Sequence, residues 1–523
     1  MHFDCHTHCS THKHHALLSC AISAIIMCFL THTAILRHNI FGSGYDLAAH
    51  SQYSWLISHY GLLEPSTLLS SAAPDFYASP LADHLSIILI PLAIIYKFIP
   101  SPLTLIVIQA ACAWLFIIGI IRIIHKRLGN QFACIITSSA LSLYPPLHLQ
   151  VRNDFHTDAF IMLSIPWLWV GITERRHWLF FSFLLLALLA KETGALVMLA
   201  FGVALLATRR YRRFGIWMCI TSTAWFLTSQ ILLHMLRGGK PQPATVWYYG
   251  YLGSNLTEII LNAICHPSKP LKLLLSSDAI LSAIQMLLPL LFLPVICPLF
   301  FFPSLTPFVQ AFITTWKPTR NIVYQGMMQC TGLLILGCVE ATALLASMVG
   351  KMGKDSERKA RSLNEFALAC VLLFSAIFSW QAVFPHQLYL RREIRLQNIP
   401  RVQAIRDALS LIPDNAPVIA STHLLPHLAN RRFLWMFEWH NPLRDRRFEL
   451  TPKWRGEMPP EDVYIAIELT PLDIWKPITP EQLDKMKRWR EIETLVENKH
   501  IVLLRYCPHD KRSRVEADYK IQD

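Results

Sequence analysis

The sequence predicts an α-helical polytopic membrane protein of about eleven transmembrane helices, followed by a small extracytoplasmic α/β C-terminal domain. Three observations lead there. Apolar residues make up 53% of the 523 positions and charged ones 16%, an excess that no soluble core requires. Long apolar runs recur between residues 15 and 384, at lengths suited to a hydrocarbon layer of about 30 Å. From about residue 386 the chain turns mixed and polar, with short apolar strands between helical stretches.

The first run, "HALLSCAISAIIMCFLTHTAIL" (15–36), has no small-residue cleavage site after it and reads as a retained helix. Further spans are expected at 103–124, 131–148, 157–173, 177–190, 194–208, 214–236, 275–291, 292–312, 322–349 and 363–384. Basic residues gather in short connections: Arg122, Lys126 and Arg127; Arg175 and Arg176; Arg209, Arg210, Arg212 and Arg213; Lys351, Lys354, Arg358, Lys359 and Arg361. The positive-inside rule makes these loops cytoplasmic. It also accounts for much of the net charge of +13 without a nucleic-acid partner.

Residues 84–100 are short for a span, contain Pro91 and run into Pro100 and Pro102. A crossing there would turn the basic loops outward, so a re-entrant or interfacial helix on the outer face is expected. Pro289, Pro294, Pro298, Pro303 and Pro307 should break 275–312 into a tight hairpin.

The domain plan is then a tail at 1–14, a membrane domain at 15–385 with an outer loop at 38–102, a soluble domain at 386–510 and a polar end at 511–523. The tail carries His2, Cys5, His6, His8, Cys9, His12, His14 and His15 and reads as an unstructured cytoplasmic segment. Its density would suit zinc or copper, yet the paired spacing of structural zinc sites is missing. Most other cysteines sit singly in apolar runs as small hydrophobes, whereas Cys265 and Cys507 fall on outer segments where they could pair.

Residues 38–83 hold no Lys or Arg but do hold Asp46, His50, His59, Glu64, Asp75 and Asp83, with His84 next. "RNDFHTDAF" (152–160) and "AKET" (190–193) add charge on two further outer segments. A charge at a helix centre in the bilayer costs about 2.5–3.5 kcal/mol, so such groups pair or face a wet cavity. Two readings are open: that these charges converge on one face as a site, which is favoured, or that Lys191 and Glu192 are ordinary loop-end charges and Asp154 pairs with Arg152.

"GYDLAAHSQ", "LADHLSIILIPLAIIYKFIP", "YPPLHLQVRNDFHTDAFIML", "LLALLAKETGAL" and "YLGSNLTEIILNAICHPSKP" together resemble a bacterial membrane-protein family, domain of unknown function 2079, over roughly residues 40–430. Asp46, His84, Asp154, His156, Lys191 and Glu192 fall on that family's motifs. Asp158 stands beside a usual Glu position and Thr193 replaces a usual Asp, which weakens any role for them.

The family is in turn similar to the GT-C glycosyltransferases, and that analogy of fold implies transfer of a sugar from a polyprenyl-phosphate donor at the outer face. It implies Asp46 as general base, with His84, Asp154, His156, Lys191 and Glu192 binding substrate. Arg237, Lys240, Lys269, Lys272, Lys317 and Arg320 become candidates to hold the leaving phosphate or lipid headgroups. No cofactor is required by the sequence, although His84, Asp154 and His156 leave room for a divalent cation. The partners implied are a polyprenyl-phosphate-linked sugar and the lipid of a bacterial inner membrane, with oligomeric state open. The alternative is a transporter or scaffold without catalysis. Transporters usually carry an internal repeat and charges near helix middles, whereas here no repeat is visible and the charges gather at loop ends. No P-loop, dinucleotide or nucleophile-elbow signature is present.

Overall fold

A computed structural model describes residues 4–72, 78–240, 243–350, 357–382, 400–438, 462–470, 478–489 and 492–507. The chain divides into two compact units, each assembled from separated segments: 1–34, 84–88 and 106–389 in the first, 35–83, 89–105 and 390–523 in the second.

The first unit is helical. Five helices are long and apolar enough to cross a membrane: His14–Asn39, Pro102–Arg127, Arg212–Leu236, Met327–Met348 and Lys359–Gln381. Two bent pairs raise the number to seven, Gln131–Ser142 with Pro145–Arg152 (42°) and Ser268–Leu274 with Ser277–Leu290 (52°). The other four segments expected to span are helices of 14 to 16 residues. At 1.5 Å per residue these reach only about 21–24 Å, short of the roughly 30 Å hydrocarbon layer. Where Glu192–Leu206 packs on Arg212–Leu236, a Cβ on Gly215 would come within 2.8 Å of the Gly202 carbonyl, so glycine is what lets these backbones meet.

The first helix begins at Asp4, so the expected unstructured tail is instead largely helical backbone. Extending an existing helix adds a hydrogen bond for each residue fixed, without a new nucleation cost. The tail side chains through Lys13, and the metal reading built on most of them, lie outside the described residues. In the proline-rich run the break falls at Leu291 and Phe292, both left-handed at φ 54 and 55, between two 3-10 turns. Pro303 and Pro307 remain inside the helix Pro298–Phe312.

The second unit joins residues 35–83 and 89–105 to the C-terminal region. Its sheet contains β1 (Val418–Ala420), β2 (Leu434–Met436), β3 (Val463–Glu468), β4 (Ile492–Glu497) and β5 (Ile501–Tyr506), ordered β2-β1-β3-β5-β4. β2, β1 and β3 run parallel, while β5 and β4 continue antiparallel. Ile419, Trp435, Ile465, Met486 and Leu504 are among its buried core. The helix Pro480–Lys487 starts with a capping box between Thr479 and Gln482.

Helices from residues 45–98 pack on this sheet. From the helix Thr67–Ala72, Thr67 Oγ1 bonds both N and O of Leu434 at 2.9 Å, which closes the β2 edge. Arg432 pairs with Glu64 at 2.7 Å, and Tyr96 donates to Asn430 at 2.7 Å. The helix Leu89–Phe98, in the region read as re-entrant or interfacial, has 10 residues, which gives it a length of about 15 Å.

Candidate functional site

In the first unit three sequence-distant segments meet around buried charge. The helix His177–Ala190 passes to Glu192–Leu206 through one extended residue, Lys191. This reversal puts Lys191 and Glu192 back to back. Lys191 Nζ lies 3.4 Å from Asp158 Oδ2, and Gln329 Nε2 donates to the other oxygen of Asp158. Glu192 takes His84 Nδ1 at 2.7 Å on one oxygen and the Leu85 N–H at 3.1 Å on the other. The Ile88 N–H bonds the Leu189 carbonyl at 3.1 Å, so residues 84–88 are tied to the same reversal.

Both carboxylates stand in the first turn of a helix, where the dipole favours negative charge. Both are buried, Asp158 at 1% and Glu192 at 6% exposure, while the His84 side chain is about a third exposed. Lys191 and Glu192 are both buried, at 8% and 6% exposure, so the reading of them as ordinary loop-end charges does not fit. Asp158, discounted as off-motif in sequence, is the partner of Lys191.

Asp154 and His156 are buried in the same unit, and Gln109 fixes their backbone. Its Nε2 donates to the Val151 and Asp154 carbonyls at 2.9 and 3.1 Å, and its Oε1 accepts from the His156 N–H at 2.8 Å. Gln109 and Gln329 were missed in sequence. A buried amide inside an apolar helix was the one available signal, since it must find partners.

The candidate phosphate ligands behave differently. Arg320 directs Nε to the Thr314 carbonyl at 2.9 Å and a second nitrogen to the same oxygen, so its guanidinium holds a loop. Lys240, Lys269, Lys272 and Lys317 are exposed and Arg237 is half-buried. Among the described residues no group of three His, Cys, Asp or Glu side chains is arranged to hold a metal ion. Cys265 and Cys507 are free thiols, so the pairing open to them in sequence is not formed.

In the second unit Asp46 is half-buried in the first turn of the helix Tyr45–Tyr60. His50 Nδ1 donates to its carbonyl at 2.8 Å. His423 Nδ1 donates at 3.0 Å to the carbonyl of Ser43, three residues before Asp46. The Thr422 N–H bonds both oxygens of Glu438, at 2.9 and 3.1 Å, and burial pushes that carboxyl above its ordinary range.

Apolar helices of spanning length, with buried carboxylates partnered where shorter helices begin, define a helical membrane protein. The chain belongs to the family described as "Predicted membrane protein (DUF2079)", which matches residues 37–453. Among solved structures it is similar to ArnT from Cupriavidus metallidurans bound to undecaprenyl phosphate, with 11% identity over 92% of this chain and 97% of that one and a TM-score of 0.49. The apo state of the same protein gives 11% identity, 91% and 97% coverage and a TM-score of 0.42. No curated protein matches the chain.

Proposed function

We propose that this chain is a membrane glycosyltransferase-like protein that moves a sugar from a polyprenyl-phosphate donor to an acceptor at the outer face of a bacterial inner membrane. The observation that carries the proposal is the back-to-back arrangement of Lys191–Asp158 and Glu192–His84. Charge this costly to bury, gathered from three loop regions, suits a polar site at the head of an apolar bundle. The analogy between the family's architecture and the GT-C transferases implies the chemistry. The acceptor hydroxyl gives its proton to Asp46 as its oxygen attacks the sugar. The bond from sugar carbon to phosphate oxygen breaks, and the phosphate leaves with its electron pair.

Under the same analogy Glu192, His84, Asp154 and His156 bind substrate. Lys191, engaged by Asp158, orients that carboxylate. Arg237, Lys240 and Lys269 keep the phosphate role. Arg320 fits it less well, because its guanidinium is bonded to Thr314.

The test compares lipid-linked sugars, by mass spectrometry, in membranes carrying the native chain, the Asp46→Asn chain or neither. A species that changes with the native chain should respond roughly 10²- to 10⁴-fold less to Asp46→Asn. Identical profiles in all three membranes would sink the proposal.

A further inference from the structure

The first helix ends without glycine. Phe41 adopts left-handed backbone at φ 58, a conformation that a bulky residue keeps only when its surroundings impose it. Its N–H bonds the His38 carbonyl at 2.9 Å and the Gly42 N–H bonds that of Arg37 at 2.9 Å, the Schellman pattern of a helix end. The next carbonyls, at the negative pole of the helix, need outside donors.

The C-terminal segment supplies them. Arg401 Nη1 donates to Ile40 O at 2.9 Å and Arg406 Nη2 to Asn39 O at 3.1 Å. His427 Nε2 donates to His38 O at 3.1 Å, while its ring stacks on His38 with centroids 4.2 Å apart and lies 4.2 Å from the Phe41 ring. His423 Nδ1 donates to Ser43 O at 3.0 Å, three residues before Asp46. Arg401 is itself immobilised by Glu468, the last residue of β3, and by the Thr470 carbonyl at 3.0 Å. His423 follows β1 by three residues, so the carboxyl ends of two adjacent parallel strands grip the turn that leads to Asp46.

We propose that the C-terminal domain is the positioning element for Asp46, and that His423 is the positioning residue, fixing the Ser43 carbonyl and with it the start of the helix that carries the carboxylate. The role given to His423 rests on that of Asp46 as base. A domain more than 350 residues away in sequence then sets the aim of the reaction, and loosening it should lower turnover while the membrane helices stay folded.

The test uses the full-length protein in nanodiscs. His423→Ala removes the donor, His423→Asn restores an N–H near the Nδ1 position, and His423→Gln places one nearer Nε2. Hydrogen exchange across residues 42–48 should rise roughly 2- to 10-fold in His423→Ala and His423→Gln and return to the native rate in His423→Asn. The lipid-linked sugar that depends on this chain should fall about 10²-fold in His423→Ala and His423→Gln and recover in His423→Asn. Unchanged exchange in His423→Gln, or raised exchange without loss of product, overturns the positioning role. Asp46→Asn is measured in parallel. Full product from it overturns the base and with it the aim given to His423, although the exchange data still decide whether His423 holds the turn.

Discussion

Lys191 Nζ stands 3.4 Å from Asp158 Oδ2, and the next residue, Glu192, holds His84 Nδ1 at 2.7 Å. An ion pair and a histidine–carboxylate hydrogen bond thus flank a single peptide bond. Removing one partner of a buried pair leaves an uncompensated charge, which typically costs about 3–5 kcal/mol. Lys191→Ala should therefore lower the melting temperature in detergent sharply. Lys191→Met combined with Asp158→Asn should regain most of the loss, because neither member of that pair then leaves its partner's charge uncompensated. A double variant no better than the sum of the single ones would show that the two residues do not couple.

Glu192 accepts from both a side chain and a backbone N–H, so its substitutions should separate by what they leave unmet. Glu192→Ala strands the buried Leu85 N–H, at a cost of about 1–3 kcal/mol, and also removes the partner of His84, which water can partly replace. Glu192→Gln keeps an acceptor for one of them and should lose clearly less. Thermal unfolding monitored by tryptophan fluorescence would rank the variants, and equal losses would refute this account of the carboxylate.

Glu438 gives a pH dependence of definite sign. Burial raises its folded pKa, whereas in the unfolded chain a glutamate ionises near about 4.3. Below that value both states are protonated and the group does not disfavour folding. As pH rises through the folded value the buried carboxyl must ionise, and stability falls. Glu438→Gln should thus match the native protein near pH 4 and exceed it in melting temperature at pH 8. A difference that shrinks as pH rises would have the wrong sign.

Orientation can be read by labelling. In a cysteine-free background, Gly129→Cys lies in a basic connection where a Cβ meets nothing closer than 3.8 Å, and Lys240→Cys lies on an exposed turn. A membrane-impermeant maleimide added outside intact cells should modify Cys at 240 and spare it at 129. Labelling at 129 alone would invert the parity and put the charged reversal at Lys191 on the cytoplasmic side.

The membrane class and a mixed strand-and-helix C-terminal region were legible in the sequence, because run length and composition are local properties. So were His84, Lys191 and Glu192 as charges worth following, since each stood beside an apolar run. Partner choice was not legible. Asp158 finds Lys191 across 33 residues and Gln329 across 171, and His423 finds Ser43 across 380. No periodicity links such positions; they pair because helix ends and strand ends meet in space, and burial there leaves each polar group to find a protein partner in place of water. Phe41 belongs with them, for its left-handed backbone contradicts local preference and is held by donors that the chain supplies more than 350 residues later.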